Sequence, residues 1–323
     1  MIYILLLIVL FFLELFYFRI ADRFNIIDKP NERSSHTAVT LRGGGIVFYF
    51  GALTYFFWFG FQYPWFFLGL TLMTFISLLD DIFTLSNKIR LFVHFSSVLL
   101  MAYQMEVFNM PWYYLLITFI VIVGMINAYN FMDGINGITA CYSLAVGSLL
   151  MLVNKDVHFI DQNLLAFTLA GVLVFTFFNF RTKAKCFAGD VGSVAIAYIL
   201  LFALGSLILT TGNLIYILFL AIYGVDVVWT IIRRLILKEN IFKAHRSHLY
   251  QYLGNEAGIN KLLVSLIYGI MQLGLGWLVI LFANKDLQTQ LYFAFFLLVV
   301  LSLVYLFVKN FVIKRFVKNK SLC

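Results

Sequence analysis

The chain has 323 residues, of which 63% are hydrophobic and 12% charged, with a formal net charge of +8. A soluble globular domain carries about 25% charged residues, so this composition excludes one and indicates an integral membrane protein, with mean hydropathy +0.96. Cys141, Cys186 and Cys323 have no paired spacing, which argues against a disulfide framework or a cysteine metal cluster. The positive balance is the bias expected of cytoplasmic loops rather than a sign of nucleic acid.

In chain order, apolar runs of spanning length predict about eleven helices, near 1–19, 45–62, 64–79, 89–105, 112–128, 137–153, 163–180, 193–210, 213–232, 259–283 and 289–309. The expected fold class is all-α: a polytopic transmembrane helical bundle forming a single domain over 1–323. The start, Met1–Phe18, has no basic region ahead of it and no small-residue cleavage site, and reads as a retained first span. The polar breaks then alternate between two faces. One receives 20–44, 80–88, 129–136, 181–192, 233–258 and the tail from 310. The other receives only short turns. Of the 23 Lys and Arg, only Lys155 and Lys285 fall on the second face. Excess Lys and Arg marks the cytoplasmic side, so the N-terminus is expected outside, the C-terminus inside and every long polar loop inside. The basic tail Lys309–Lys320 reads as a topology anchor that favours anionic lipid.

Five polar stretches share the inner face. The first holds Arg33 and His36, then Arg42 and Gly43–Gly45 at the start of the second span. Glycines opening a helix expose N–H groups to an anion, or else permit close helix packing. The second is Asp80–Asp81, followed by Lys88, Arg90 and His94. Adjacent carboxylates repel, which favours a raised pKa or a shared cation, although helix capping accounts for one of them. The third is NAYNFMDGINGI, where Asn127, Asn130 and Asp133 recur every third residue, close enough on a helical turn for neighbours to meet.

The fourth stretch, AGDVGS, sets Asp190 between glycines at a helix start. That position favours phosphate, and a magnesium ion shared between carboxylate and phosphate resolves the clash of charges. Capping by Asp190 or Ser193 is the plainer account. The fifth, HRSHLYQ, holds His245, Arg246 and His248, a cationic cluster suited to a diphosphate or simply a solvated loop. Zinc binding by the two histidines lacks a third ligand. Upstream, Asp226 lies in an apolar span with Arg233 and Arg234 two turns on, and an intramembrane acid is a functional candidate or a fold-pairing residue. Carboxylates, amides and cations on one face suit metal-assisted phosphoryl transfer, with one reactant arriving through the lipid.

These residues match a family. In order, DKPNERSSHT with RGGG, DDIFTLSNKIRLFVH, NAYNFMDGING, AGDVGS and HRSHLYQ resemble the polyprenyl-phosphate N-acetylhexosamine-1-phosphate transferases, glycosyltransferase family 4. The resemblance implies a helical bundle in the bacterial inner membrane, open to the cytoplasm. There a UDP-N-acetylhexosamine meets undecaprenyl phosphate, UMP leaves and a lipid-diphospho-sugar forms. It implies a Mg2+ cofactor, with Mn2+ as a substitute, and metal ligands Asn130 and Asp190. Asp80, Asp81 and Asp133 fall at catalytic positions. Arg90, Asn127, His245, Arg246 and His248 fall at substrate-binding ones. It implies no nucleic acid partner and leaves room for a homodimer.

Arg90 stands where many members have lysine, and His94 where glutamine is common. With NERSSHT and HRSHLYQ, they resemble the branch that starts O-antigen or capsule chains, often with a 6-deoxy amino sugar. The rival classes are a polytopic transporter and a non-catalytic scaffold. A transporter would show polar, broken helices at mid-membrane and chemistry on both faces. A scaffold has no need of five charged clusters on one side.

Overall fold

The computed structural model describes residues 2–30, 39–83, 85–240 and 246–317. Arg33, His36, His245 and Cys323 lie outside these. The long helices are α1 (Ile2–Arg23), α2 (Ile46–Trp58), α3 (Pro64–Phe83), α4 (Asn87–Gln104), α5 (Trp112–Met132), α6 (Ile138–Val157), α7 (Gln162–Asn179) and α8 (Gly189–Thr211). A tighter helical segment, Leu214–Leu220, runs into α9 (Ala221–Ile236). One turn, α10 (Leu249–Gln251), precedes α11 (Lys261–Ala283) and α12 (Leu287–Val312). Between α1 and α2, the two-residue strands β1 (Ile27–Asp28) and β2 (Thr40–Leu41) pair antiparallel.

Nine helical segments among the described residues are long and apolar enough to span a membrane, so the chain is a multi-pass membrane protein. The remaining two of the eleven expected spans are exceptions. Helix α2 is apolar but only 13 residues long, and α4 carries Lys88, Arg90 and His94.

Helix α8 is apolar nearly all round and buried along most of its length, as a helix without a polar face should be. It packs against α2, α3, α5 and α6. At the periphery, α12 buries only Tyr305, Lys309 and Val312, leaving its aliphatic and aromatic surface to lipid. Caps fix several starts: Asp161 accepts from Asn163 N at α7, Asn260 from Leu262 N at α11, and Asp286 from Thr289 N at α12.

Several helix ends extend further than apolar run length suggests, and three of them carry the polar motifs. Helix α3 continues through Asp80 and Asp81 to Phe83, α5 through Asn127 and Asn130 to Met132, and α8 begins at Gly189 rather than 193. Backbone hydrogen bonding does not stop where hydropathy falls. The polar motifs therefore ride on helix ends, where their side chains have fixed directions.

Candidate active site

Two of these helix ends are joined through the residues before α2. Leu41 bridges Cys186, Phe187 N donates to Leu41 O at 2.8 Å, and Gly44 N donates to Phe187 O at 2.9 Å. The chain before α2 thus runs beside the chain before α8. Glycine is required here: a Cβ on Gly45 would lie 2.4 Å from Gly192 Cα. The RGGG stretch is accordingly a close-packing device, and it sets Arg42 beside the start of α8.

Arg42 Nε lies 2.8 Å from Asp81 Oδ1, and its Nη2 lies 3.0 Å from Asp190 Oδ1. Asp81 has no exposed side-chain surface. Its carboxylate also accepts from Asp190 N at 3.3 Å and Val191 N at 3.2 Å. Asp81, reaching over from α3, is therefore what satisfies the first N–H groups of α8. Neither Asp190 nor Ser193 caps that helix. Ser193 Oγ donates back to Gly189 O, and the position before α8 has no side-chain cap.

Arg90, one turn into α4, completes the set. Its Nη1 lies 2.7 Å from Asp80 Oδ2 and its Nη2 lies 3.6 Å from Asp190 Oδ2. Asp80 Oδ1 accepts from Leu85 N at 2.7 Å, which holds the α3–α4 turn. The adjacent carboxylates are thus separated by assignment to different arginines. His94, one turn beyond Arg90, feels the charges of Arg90, Asp190 and Asp80.

Asp133 ends α5, and its Oδ1 accepts from Thr139 Oγ1 at 2.6 Å. Burial raises its pKa to about 6; the Thr139 hydroxyl lowers it, while the charges of Asp190 and Arg42 act on it with opposite sign. Asn130 lies on the last turn of α5, three residues before Asp133. Asn127 is exposed, and its amide donates to Val123 O. The Asn127, Asn130 and Asp133 side chains are not bonded to one another.

The part of the HRSHLYQ segment from Arg246 to Gln251 packs beside this end of α5. Tyr250 Oη donates to Phe131 O at 2.9 Å, and Gly134 leaves the space that the Tyr250 ring end occupies. His248 is 1% exposed, with Nδ1 3.2 Å from Asp226 Oδ1. Asp226 also accepts from Leu249 N at 3.1 Å and from Tyr268 Oη at 2.7 Å. The intramembrane acid thus anchors this segment. Arg246 pairs with Glu256 at 3.6 Å. Lys309 departs from its reading as part of a basic tail: it is 3% exposed and turned toward Thr230 of α9.

Tyr268, Thr139 and Glu14 escaped sequence reading. Glu14 is fully buried in α1, where Cys186 Sγ donates to it at 3.6 Å. Its only sequence signal is its place in the stripe Leu6, Leu10, Glu14, Tyr17, Ala21 that α1 buries.

Among the described residues, no three His, Cys, Asp or Glu side chains converge as a metal cluster. Asp190 and Asn130 carry hard oxygen donors, the ligand chemistry of Mg2+, which takes one or two protein ligands and completes its shell with water and phosphate. The two guanidinium groups gathered at Asp190 show that its carboxylate already attracts positive charge.

An apolar bundle carrying a set of three carboxylates and two arginines at one end defines a membrane-embedded protein built to handle anionic groups. The glycosyl transferase family 4 model matches residues 63–210, which include Asp80, Asp81, Arg90, Asn127, Asn130, Asp133 and Asp190. Residues 63–210 thus carry a glycosyl transferase family 4 domain. It is 29% identical over 301 residues to an undecaprenyl-phosphate alpha-N-acetylglucosaminyl 1-phosphate transferase of Thermotoga maritima, covering 89% of each chain. It is 26% identical over 271 residues to a Bacillus subtilis protein named "Probable undecaprenyl-phosphate N-acetylglucosaminyl 1-phosphate transferase", covering 77% of this chain and 75% of that one. A phospho-N-acetylmuramoyl-pentapeptide-transferase of Thermotoga neapolitana is 39% identical over 85 residues, covering 26% of this chain and 27% of the relative.

Proposed function

We propose that this chain transfers an N-acetylated amino-sugar 1-phosphate from a UDP-sugar to undecaprenyl phosphate, releasing UMP and starting a surface polysaccharide such as an O-antigen or capsule chain. The observation that carries this reading is the joined set of Arg42, Asp81, Asp190, Arg90 and Asp80 at one end of the bundle. Transfer between two anions needs fixed cations to hold phosphate charge and carboxylates to orient those cations. The names of the relatives supply the acceptor and the transferred group. The site faces the cytoplasm of a bacterial inner membrane, since 21 of the 23 Lys and Arg fall on its side.

In this reaction an oxygen of the lipid phosphate attacks the sugar-bearing phosphorus. The bond from that phosphorus to the oxygen shared with the uridine phosphate breaks, and UMP carries the electron pair away. Arg42 and Arg90 hold phosphate oxygens. Asp81, without exposed side-chain surface, positions Arg42 and the start of α8 rather than touching substrate. Asp80 and Asp133 are left to meet the acceptor, and the pKa of Asp133, about 6, lets it stand ionised at neutral pH. Direct attack is favoured over a covalent Asp133 intermediate because the lipid phosphate is itself an anionic nucleophile. A Mg2+ ion, when bound by Asp190 and Asn130, would neutralise phosphate charge there. His245 and Arg246 serve the donor diphosphate, and Asp226 holds their segment through His248 and Leu249.

The acceptor's tail has a path. A cavity of about 610 Å3 with an almost wholly apolar lining runs between α5, the Leu214–Leu220 segment, α9 and α12, and reaches Ala128, two residues before Asn130. The test is UMP release by purified protein given undecaprenyl phosphate and, separately, UDP-N-acetylglucosamine or its 6-deoxy analogue. Release with either donor that depends on the lipid supports the reaction, and its absence with every UDP-N-acetylhexosamine overturns it. Faster turnover of the 6-deoxy donor supports the O-antigen branch. A site that bonds the 6-hydroxyl would instead reject that analogue.

A further inference from the structure

The ends of α9 and α12 enclose a second cavity, of about 290 Å3, on the same end of the bundle as the site above. Trp229, Arg233, Tyr305, Lys309 and Asn310 line it, and aliphatic side chains from both helices complete it. Lys309 lies on a helix that faces lipid along most of its length and buries Tyr305, Lys309 and Val312. A lysine near the end of such a helix ordinarily extends toward the polar layer. This one turns inward and is 3% exposed.

The ammonium of Lys309 donates to Thr230 Oγ1 at 3.1 Å and to Tyr305 Oη, which uses two of its three N–H groups. Arg233 donates to Tyr252 Oη at 3.1 Å. Among the described residues neither cation makes an ion pair with a carboxylate. Asp226, the acid whose charge acts on Lys309, faces His248, Leu249 N and Tyr268, and meets Lys309 through the Thr230 and Tyr305 hydroxyls that bond both. Arg234 is turned to Glu239, 3.4 Å away. The cavity therefore has two cations and no carboxylate of its own.

Its rim is apolar and open to lipid: Ile236 is 74% exposed and Leu237 53%. A soluble phosphate has no use for that rim. A zwitterionic lipid would bring a third cation to the pair. We propose that this cavity holds the phosphate of an anionic phospholipid, with Arg233 and Lys309 as its charged partners and the acyl chains along Ile236 and Leu237. Basic pockets between helices at the cytoplasmic interface bind such headgroups, with each cation contributing about a fivefold change in affinity. The site is separate from the proposed acceptor groove, with Trp229 and Ile232 forming the wall common to both.

Native mass spectrometry of the purified full-length protein tests this, with phosphatidylglycerol and phosphatidylcholine of identical chains added in turn. The parent should retain phosphatidylglycerol in preference. Arg233→Gln and Lys309→Gln should each weaken that retention about fivefold. Lys183→Gln, which removes an exposed cation on the same face but outside both the cavity and the basic tail, should leave it unchanged. Arg233 is only half-buried, so its variant keeps the test usable if Lys309→Gln fails to fold. Equal retention of the two lipids, or an equal loss in Lys183→Gln, would overturn the proposal. So would retention of undecaprenyl phosphate over phosphatidylglycerol that the same two variants abolish, since the cavity would then belong to the acceptor.

Discussion

Arg42 and Asp81 form the joint on which the site turns: Nε to Oδ1 is 2.8 Å, while the other arm of the same guanidinium reaches Asp190. One side chain thereby ties the end of α3 to the start of α8. Lysine keeps the charge but is a point donor without the planar fork. Arg42→Lys should therefore fold yet lose turnover on the order of 100-fold, as misplacement of catalytic groups does. Arg42→Ala should also destabilise, by about 2–3 kcal/mol. That is less than the cost of stranding a wholly buried charge, because Arg42 is 36% exposed and two N–H groups still hold Asp81. Thermal unfolding in detergent beside UMP release separates the two effects.

The close approach of α2 and α8 gives a purely structural expectation. Gly45→Ala places a methyl 2.4 Å from Gly192 Cα, backbone that cannot yield locally. Overpacking of this kind costs about 1–3 kcal/mol. The unfolding midpoint should fall, and an unchanged midpoint would mean that the two segments lie further apart.

Asp133 sets a pH dependence. Its pKa is raised by burial to about 6, so the carboxylate is lost as pH falls through 6 and turnover should fall with it. The Thr139 hydroxyl lowers that pKa, so Thr139→Val should move the acid limb to higher pH. The stability sign is the reverse. A folded pKa above the ordinary carboxylate value favours the protonated fold, so this contribution is present below pH 4 and lost as pH rises through 6. Rate profiles of parent and variant, overlaid, provide the check. Coincident acid limbs would remove Asp133 from the rate-limiting proton balance.

Topology is testable with two exposed lysines on opposite faces. In a background free of Cys141, Cys186 and Cys323, Lys285→Cys should react with an impermeant thiol reagent in intact cells, and Lys238→Cys should not. The reverse pattern would place the site outside.

The helices were legible because apolar run length governs membrane spans, and all eleven expected runs are occupied by helix. Their ends were not, because hydropathy falls before backbone hydrogen bonding does. The polar motifs could be named from residue type and order. Their pairings could not: nothing in the sequence assigns Asp81 to Arg42 and Asp80 to Arg90, since those contacts span three segments. Capping of α8 by Asp81 was hidden for the same reason. Asp226 stood out as an intramembrane acid. Tyr268, Thr139 and the inward turn of Lys309 did not, because tyrosine, threonine and a terminal lysine are ordinary in such helices.

The most direct test of the whole account is Asp190, the one residue among those described that meets both arginines. Asp190→Asn keeps the size and removes the charge that orients Arg42 and Arg90 and would hold Mg2+. Losing such stabilisation costs about 3 kcal/mol or more, about a hundredfold in rate. Ser193→Ala, which removes only a hydrogen bond within α8, serves as the neighbouring control. The measurement is UMP release across a magnesium titration, by purified variants at matched folded concentration. The account predicts that Asp190→Asn falls at least a hundredfold at every magnesium level while Ser193→Ala stays near the parent. Turnover of Asp190→Asn equal to the parent would contradict it.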